Sequence, residues 1–505
     1  MAWAGPLACA TTLPRWAWSQ PQLAHATDPF ALGVASGEPT SDGVVLWTRL
    51  LPAPGTQALT VQWEVAHDPA FTRIAQRGQS TALPLAAHSV HTEVRGLAPG
   101  RWYYYRFMQG NAVSPTGRTR TAPAIGDMPS HLRLAFASCQ NWEQGHYAAW
   151  QHMVADQPDL VLFLGDYIYE YAMPRDATDL ARSHSLHHAR SLQDFRARYA
   201  LYKSDTALQA AHAACPWAVI WDDHEVQNDY AGTQGRGDAT AFAALRSAAW
   251  QAFYEHMPLR ANSLPGAHGM GLHRHLHWGQ LARLHLLDTR QHRHLQACRP
   301  PSSRSASAVQ PAQCASLADP DRTLLGTAQE QWLDAALGQD AKAGTRWSVL
   351  AQTTLFAPRR YPSGVVATDT WDGYPAARQR LLNSLAQHAP RNAVFLGGDI
   401  HQNYVCQVPT HADKPDEAVL ASEFCGTSIS SRAGTTQQQV DAVRRHNPHV
   451  LLARCEQRGY GLADITPQHW TTTLRVLGNA LDPHSPIHTQ ARFVVMDGKP
   501  GPQVA

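Results

Sequence analysis

The stretch Phe163-Leu-Gly-Asp-Tyr-Ile-Tyr-Glu-Tyr171, FLGDYIYEY, closes an apolar run, LVLFLG, that begins at Leu160. A short continuous apolar run bounded by turn-forming residues reads as a strand buried on both faces. This one stops on a carboxylate, Asp166, with a phenol, Tyr169, three residues later. An aspartate at a strand end also makes an Asx turn. Alone, the stretch carries no chemistry; its meaning depends on how the other buried runs end.

They end the same way. LRLAFAS runs into Cys139, WAVIW into Asp222-Asp223-His224-Glu225, and LARLHLL into Asp288-Thr289-Arg290. WSVLA runs into Gln352, and NAVFLGG into Asp399-Ile400-His401. Between these runs lie segments with apolar residues at helical spacing, such as HYAAWQHMVADQ and TAQEQWLDAALGQD. Strands alternating with helices predict an α/β (α+β) domain with covered sheets over residues 131–505. Strand ends on one edge of a covered sheet form a crevice, the usual place for a ligand.

Residues 28–123 have a different texture. GVVLWTRL, LTVQWEVAHD and HTEVRGLAPGRWYYYRFMQG alternate apolar and polar positions, are rich in aromatics and are separated by turn signals. About six or seven such strands predict an immunoglobulin- or fibronectin-like β-sandwich, joined to the second domain by the linker TAPAIGDMPS.

The chain has 505 residues, enough for two domains, and its net charge of +2 gives no electrostatic case for a nucleic-acid partner or an anionic membrane surface. No segment reaches transmembrane length. Residues 1–27 are apolar and rich in small residues, and Ala24-His25-Ala26 fits a signal-peptidase site. They read as an export signal that lacks its basic start, which predicts a periplasmic or extracellular protein. The eight cysteines contain no CxxC pair, which excludes finger and thioredoxin motifs. Cys298 and Cys314 bracket a Ser/Pro/Ala-rich loop that a disulfide would tie down in an oxidising compartment.

The donors at the strand ends are carboxylates, an imidazole, a phenol and a thiol. The first two suit iron, manganese, zinc or calcium, and a thiolate favours iron or zinc. Phenolate ligation favours a ferric ion, because a trivalent charge best offsets ionising a group of pKa about 10. Asp166 stands between both halves of the set, where it could bridge two ions. A bridged pair can clamp a phosphoryl group and activate water near neutral pH.

GDYIY carries the pattern GD-x-x-Y, WDDHE is similar to a variant of GNH[DE], and GGDIH stands where purple acid phosphatases have GHVH. With FASCQ, DTRQHR, WDGYPAARQRLL and the N-terminal FALGVASGEPTSDGVVLWTRL, the order of these motifs resembles the PhoD-type alkaline phosphatases/phosphodiesterases over most of the chain. The resemblance implies a metallophosphatase αββα four-layer sandwich, and hydrolysis of small phosphate mono- and diesters at alkaline pH. It also implies a ferric ion (Fe3+) with calcium (Ca2+). By motif position, Cys139, Asp166, Tyr169 and His401 would hold the iron. Asp166, Asp223, Asp399 and Gln352 would hold the second ion. His224 would assist the leaving group and Arg290 would offset charge on the phosphoryl group.

Each of these residues also has a bland reading. Cys139 could be a small buried hydrophobe, Asp222 and Asp223 a helix cap, and Arg290 an ion pair with Asp288. Asn228, Asp369, Asp372 and Tyr374 could shape the pocket rim or merely support loops, and Cys425 reads as packing. Rival functions are a phospholipid or nucleic-acid diesterase on the same fold, a zinc or manganese (Zn2+, Mn2+) hydrolase, and a secreted binding protein with an inactive hydrolase core.

Overall fold

The computed structural model describes residues 28–505 apart from 54, 175, 186–187, 267–268, 301–302, 304–305 and 415–416. The export segment expected at 1–27 lies outside the described residues.

Two large sheets face each other. The first has ten strands, in the order 499–504, 487–496, 469–477, 459–465, 132–137, 160–164, 217–220, 34–40, 43–49, 89–95. The second has seven, in the order 274–278, 282–286, 347–351, 393–397, 419–425, 403–409, 450–454. Side chains of both sheets, among them Phe136, Leu162, Leu284, Val349, Leu396 and Phe424, share one apolar core.

The strand period of two explains why these runs are apolar throughout. In Ala393–Gly397, Val394 and Leu396 face the core between the sheets, while Ala393 and Phe395 face a second core under the helices Thr327–Ala343 and Pro375–His388. On the outer side of the first sheet pack the helices Ala148–Ala155, Leu192–Lys203, Thr206–Ala214 and Ala239–His256, which give the four-layer αββα arrangement.

Chain direction then positions the site. Leu132–Ala137, Leu160–Leu164 and Trp217–Ile220 pair in parallel, as do Ala282–Leu286, Trp347–Ala351, Ala393–Gly397 and Val419–Cys425. Parallel strands end on the same edge, so residues scattered from Cys139 to His401 arrive together.

Residues 34–120 form two layers. A sheet of Ile74–Ala82, Leu59–Ala66, Trp102–Gln109 and Ala112–Val113, with Gly117–Arg120 beside Trp102–Gln109, covers the strands 34–40, 43–49 and 89–95. Their shared core contains Val44, Leu46, Val61, Tyr105 and Phe107. The inner layer is not free-standing: Gly37 pairs in parallel with Trp217, so it continues the ten-stranded sheet.

Candidate metal centre

Four residues at the strand ends hold left-handed backbone: Cys139 (φ 58°), Asp166 (φ 57°), Asp399 (φ 62°) and His401 (φ 55°). Such conformations cost roughly 1–3 kcal/mol for a residue with a Cβ and cluster where structure serves chemistry. Here they turn each side chain off its strand axis into the crevice. Glycine lets the loops approach. A Cβ on Gly165 (φ +96°) would lie 2.5 Å from the Cβ of Asp222, and one on Gly398 would strike Ser138.

The loops are also tied to one another. Cys139 N–H donates to the Gly165 carbonyl and Gln140 N–H to that of Asp166, both at 3.0 Å. Glu225 accepts from the backbone N–H groups of Asp166 (3.2 Å), Tyr167 (2.5 Å) and Asp222 (2.9 Å). One carboxylate thereby fixes two strand ends.

Three sets of donor atoms lie within 4.8 Å of one another among the described residues: Cys139/Asp166/His401, Asp166/Asp223/His224 and Asp223/Asp229/Asp369. Asp166 belongs to the first two. Tyr169 joins the first set, its hydroxyl donating to Asp166 Oδ2 at 3.0 Å and lying 3.1 Å from His401 Nε2. His401 Nδ1 is 2.7 Å from the Arg432 carbonyl, which fixes the ring hydrogen there and leaves Nε2 facing the site. Asp399 lies outside the three sets, its Oδ2 accepting from Thr354 Oγ1 at 2.7 Å.

The electrostatics test whether this set suits cations. Burial, with Asp166 next, pushes the Cys139 thiol well above its ordinary range; burial, Asp166 and Cys139 do the same to the Tyr169 phenol. Burial raises Asp166 and Asp399, with Asp222 and Asp223 adding to the effect. Asp166 Oδ1 and Asp223 Oδ1 are buried without a hydrogen-bond partner among the described residues, Asp223 Oδ1 having the Arg290 Nη2 ion-pair contact at 3.6 Å. Packed acids that oppose one another's ionisation, with carboxylate oxygens left over, match a site completed by cations. The donor set fits metal.

His224 stands beside the shared carboxylates. Its Nδ1 is 2.7 Å from Glu170 Oε2, and its ring centroid is 4.2 Å from that of Tyr169. Burial works against charge on this imidazole, but Asp223, Glu170 and Asp166 outweigh it and hold the group protonated well above its ordinary range.

Two expected roles are corrected. Gln352 does not present a ligand atom: its Oε1 accepts from Thr354 N–H (3.0 Å) and Trp371 Nε1 (3.2 Å), and its Nε2 donates to the Thr354 carbonyl. Arg290 does not reach outward for phosphate. It is wholly buried, and its guanidinium is bidentate to Asp222 (Nε–Oδ1 2.6 Å, Nη2–Oδ2 3.0 Å) and to Asp369 (3.1 and 2.8 Å). Nor is its ion pair with Asp288, which instead accepts the Arg290 backbone N–H at 2.9 Å.

Tyr167 packs, its hydroxyl 2.8 Å from His212 Nε2, and Cys425 Sγ rests on the Gly398 carbonyl. Asp372 holds Arg359 N–H and Arg378, and the Tyr374 hydroxyl donates to the His294 carbonyl. Asn228 N–H donates to Glu170 Oε1 at 2.9 Å. Glu170, Asp229 and Ser431, whose Oγ lies 2.7 Å from the Tyr169 hydroxyl, escaped the sequence reading. The only available signal was that Glu170 follows Tyr169 directly.

The comparisons with known proteins agree with the motif reading. The PhoD-like phosphatase family matches residues 134–474, and the N-terminal domain of PhoD-like phosphatases matches residues 15–123. The chain is 43% identical over 493 residues to alkaline phosphatase D of Bacillus subtilis (strain 168), covering 94% of this chain and 82% of that protein. A solved structure of PhoD superposes with a TM-score of 0.86 at 42% identity, covering 95% of this chain and 93% of that one. The resemblance carried by GD-x-x-Y, WDDHE and GGDIH is thus borne out over nearly the whole sequence, and the chain belongs to the PhoD-like phosphatase family.

Proposed function

We propose that the chain hydrolyses phosphate mono- and diesters at alkaline pH with a ferric ion held by Cys139, Asp166, Tyr169 and His401. Asp166, Asp223 and Asp399 would hold a calcium ion. Bound there, the ions supply charge neutralisation for the phosphoryl oxygens and lower the pKa of water.

The chain's own groups do the rest. Asp166, common to two donor sets, holds the two ligand groups in register. A water oxygen bonds to phosphorus and releases a proton to solvent, the bond from phosphorus to the leaving oxygen breaks, and His224 gives that oxygen its proton. Glu170 accepts from Nδ1 and so commits Nε2 to that transfer. Arg290 neutralises Asp222 and Asp369 and keeps the carboxylate layer behind the ligands from repelling itself. The Cys298–Cys314 disulfide (Cα–Cα 5.8 Å) supports export, because such bonds persist in oxidising compartments. Among the described residues no helix is long and apolar enough to cross a membrane.

The observation that carries this reading is the sharing of Asp166 between the two donor sets. Asp166→Asn tests it with p-nitrophenyl phosphate and bis(p-nitrophenyl) phosphate. Loss of turnover on both, together with loss of bound metal, is expected; full turnover would refute the assignment.

A further inference from the structure

Beside the metal centre, a cleft of about 490 Å³ opens between the segment Arg359–Ser363 and the helix Gln437–Arg445. The catalytic mechanism does not use it. Its walls include Arg359, Tyr361, Gln402, Tyr404 and Val440. Gln402 directly follows His401, so the cleft begins where the proposed iron ligands end.

Arg359 is the unusual member. Its guanidinium carbon lies 5.3 Å over the Tyr361 ring, and it faces the Tyr404 hydroxyl. Its Nε is buried without a hydrogen-bond partner, and no carboxylate stands within ion-pair distance of the guanidinium among the described residues. Asp372, the nearby acid, accepts the Arg359 backbone N–H and gives its other oxygen to Arg378 (2.5 Å). Asp399 lies within electrostatic reach of Arg359 but belongs to the metal centre. Gln402, a residue of the cleft wall, is only 7% exposed, and its Oε1 is buried without a hydrogen-bond partner among the described residues. A guanidinium with no carboxylate partner, held beside a tyrosine hydroxyl in an aromatic-walled cleft, is a recognition surface for an anion carried on an organic body.

We propose that this cleft is a subsite for a second anionic group of the substrate. The preferred ester carries a further phosphate on its organic part, with the scissile phosphoryl at the metal ligands and the second phosphate against Arg359. Tyr361 and Tyr404 flank the organic body. The proposal rests on the phosphatase reading of the neighbouring site.

The test uses a matched pair of chromogenic diesters: the p-nitrophenyl ester of thymidine 5′-phosphate, with and without a 3′-phosphate. The full-length protein should show a KM about tenfold lower for the 3′-phosphorylated ester, the scale of one charge-assisted contact. Arg359→Gln should collapse that ratio towards one, and Arg359→Lys should keep part of it. Equal KM values in the unmodified protein would overturn the proposal. So would an Arg359→Gln variant that keeps the ratio or weakens on both esters alike. If Arg359→Gln fails to fold, the unmodified protein and Arg359→Lys decide on the same ratio. Absence of nitrophenol release from either ester would instead refute the phosphatase reading, and the subsite with it.

Discussion

Glu170 Oε2 lies 2.7 Å from His224 Nδ1, in a pocket where both side chains are buried. The carboxylate fixes which ring nitrogen carries its hydrogen towards the protein and which faces the crevice. It also holds Asn228 N–H and so ties the loop after Trp217–Ile220 to the GD-x-x-Y turn. Glu170→Gln should lower kcat on p-nitrophenyl phosphate by roughly ten- to a hundredfold while bound metal stays at the unmodified level, the usual cost of losing such a partner. Elemental analysis alongside steady-state kinetics checks this. Metal loss in proportion to activity would make Glu170 a scaffold for the ligands instead.

Arg290 sits between two carboxylates from elements far apart in sequence, Asp222 and Asp369. Removing one partner of a buried ion pair leaves charge uncompensated, at a cost of about 3–5 kcal/mol. Arg290→Met should therefore lower the denaturation midpoint sharply. Arg290→Lys, which cannot serve both carboxylates in bidentate fashion, should recover only part of it. A substrate-binding arginine would behave oppositely: KM would rise and the midpoint would hardly move.

Much of the site was legible because the fold makes it one-dimensional. Buried parallel strands read as apolar runs, and the residues after each run land on one edge, where Cys139, Asp166, Asp223 and His401 fall into donor sets. What the runs do not encode is direction. Gln352 ends its strand like the others, yet its carboxamide turns back onto Thr354 and Trp371. Arg290 has an acid two residues away, and its guanidinium instead pairs with Asp222 and Asp369, which are 68 and 79 positions distant. Glu225 looks like the tail of a motif, and only the folded loops show it accepting three backbone N–H groups. The junction Gly37–Trp217, which merges the sandwich with the large sheet, rests on a single register pair that no periodicity could announce.

Lys203 is 2% exposed, between the Trp47 ring (4.2 Å), the Tyr167 ring (5.4 Å) and His212 Nε2 (3.5 Å), with His256 and Arg49 beyond. Burial lowers its pKa from 10.5 to about 7. The unfolded chain therefore binds a proton that the folded protein lacks between those values, and the lysine's contribution to stability rises with pH across that window. Lys203→Met removes it. The stability advantage of Lys203→Met over the unmodified protein should shrink between pH 7.5 and 9.5 by on the order of 2 kcal/mol, measured by urea denaturation. A constant gap would place the lysine's proton outside this range.

The disulfide Cys298–Cys314 closes a loop with a sequence separation of 16. That loop reaches the acidic cluster, since Ala306 N–H donates to Asp229 Oδ2 at 2.8 Å and Ser307 N–H to Thr368 Oγ1 at 3.3 Å. The double variant Cys298→Ser/Cys314→Ser should lose about 3 kcal/mol of stability through the freed loop entropy. A smaller loss of activity at low temperature should accompany it. Reductant should lower the midpoint of the unmodified protein and leave the variant's unchanged.

The most direct measurement is the visible spectrum and metal content of protein purified without added metal or chelator, compared with Tyr169→Phe. A phenolate and a thiolate converging on one ferric ion absorb visible light, so the unmodified protein should be coloured and contain iron with calcium. The phenylalanine variant should lose or shift the band. Colourless protein carrying zinc or manganese, or a band untouched by removing the Tyr169 hydroxyl, would contradict the shared iron–calcium centre.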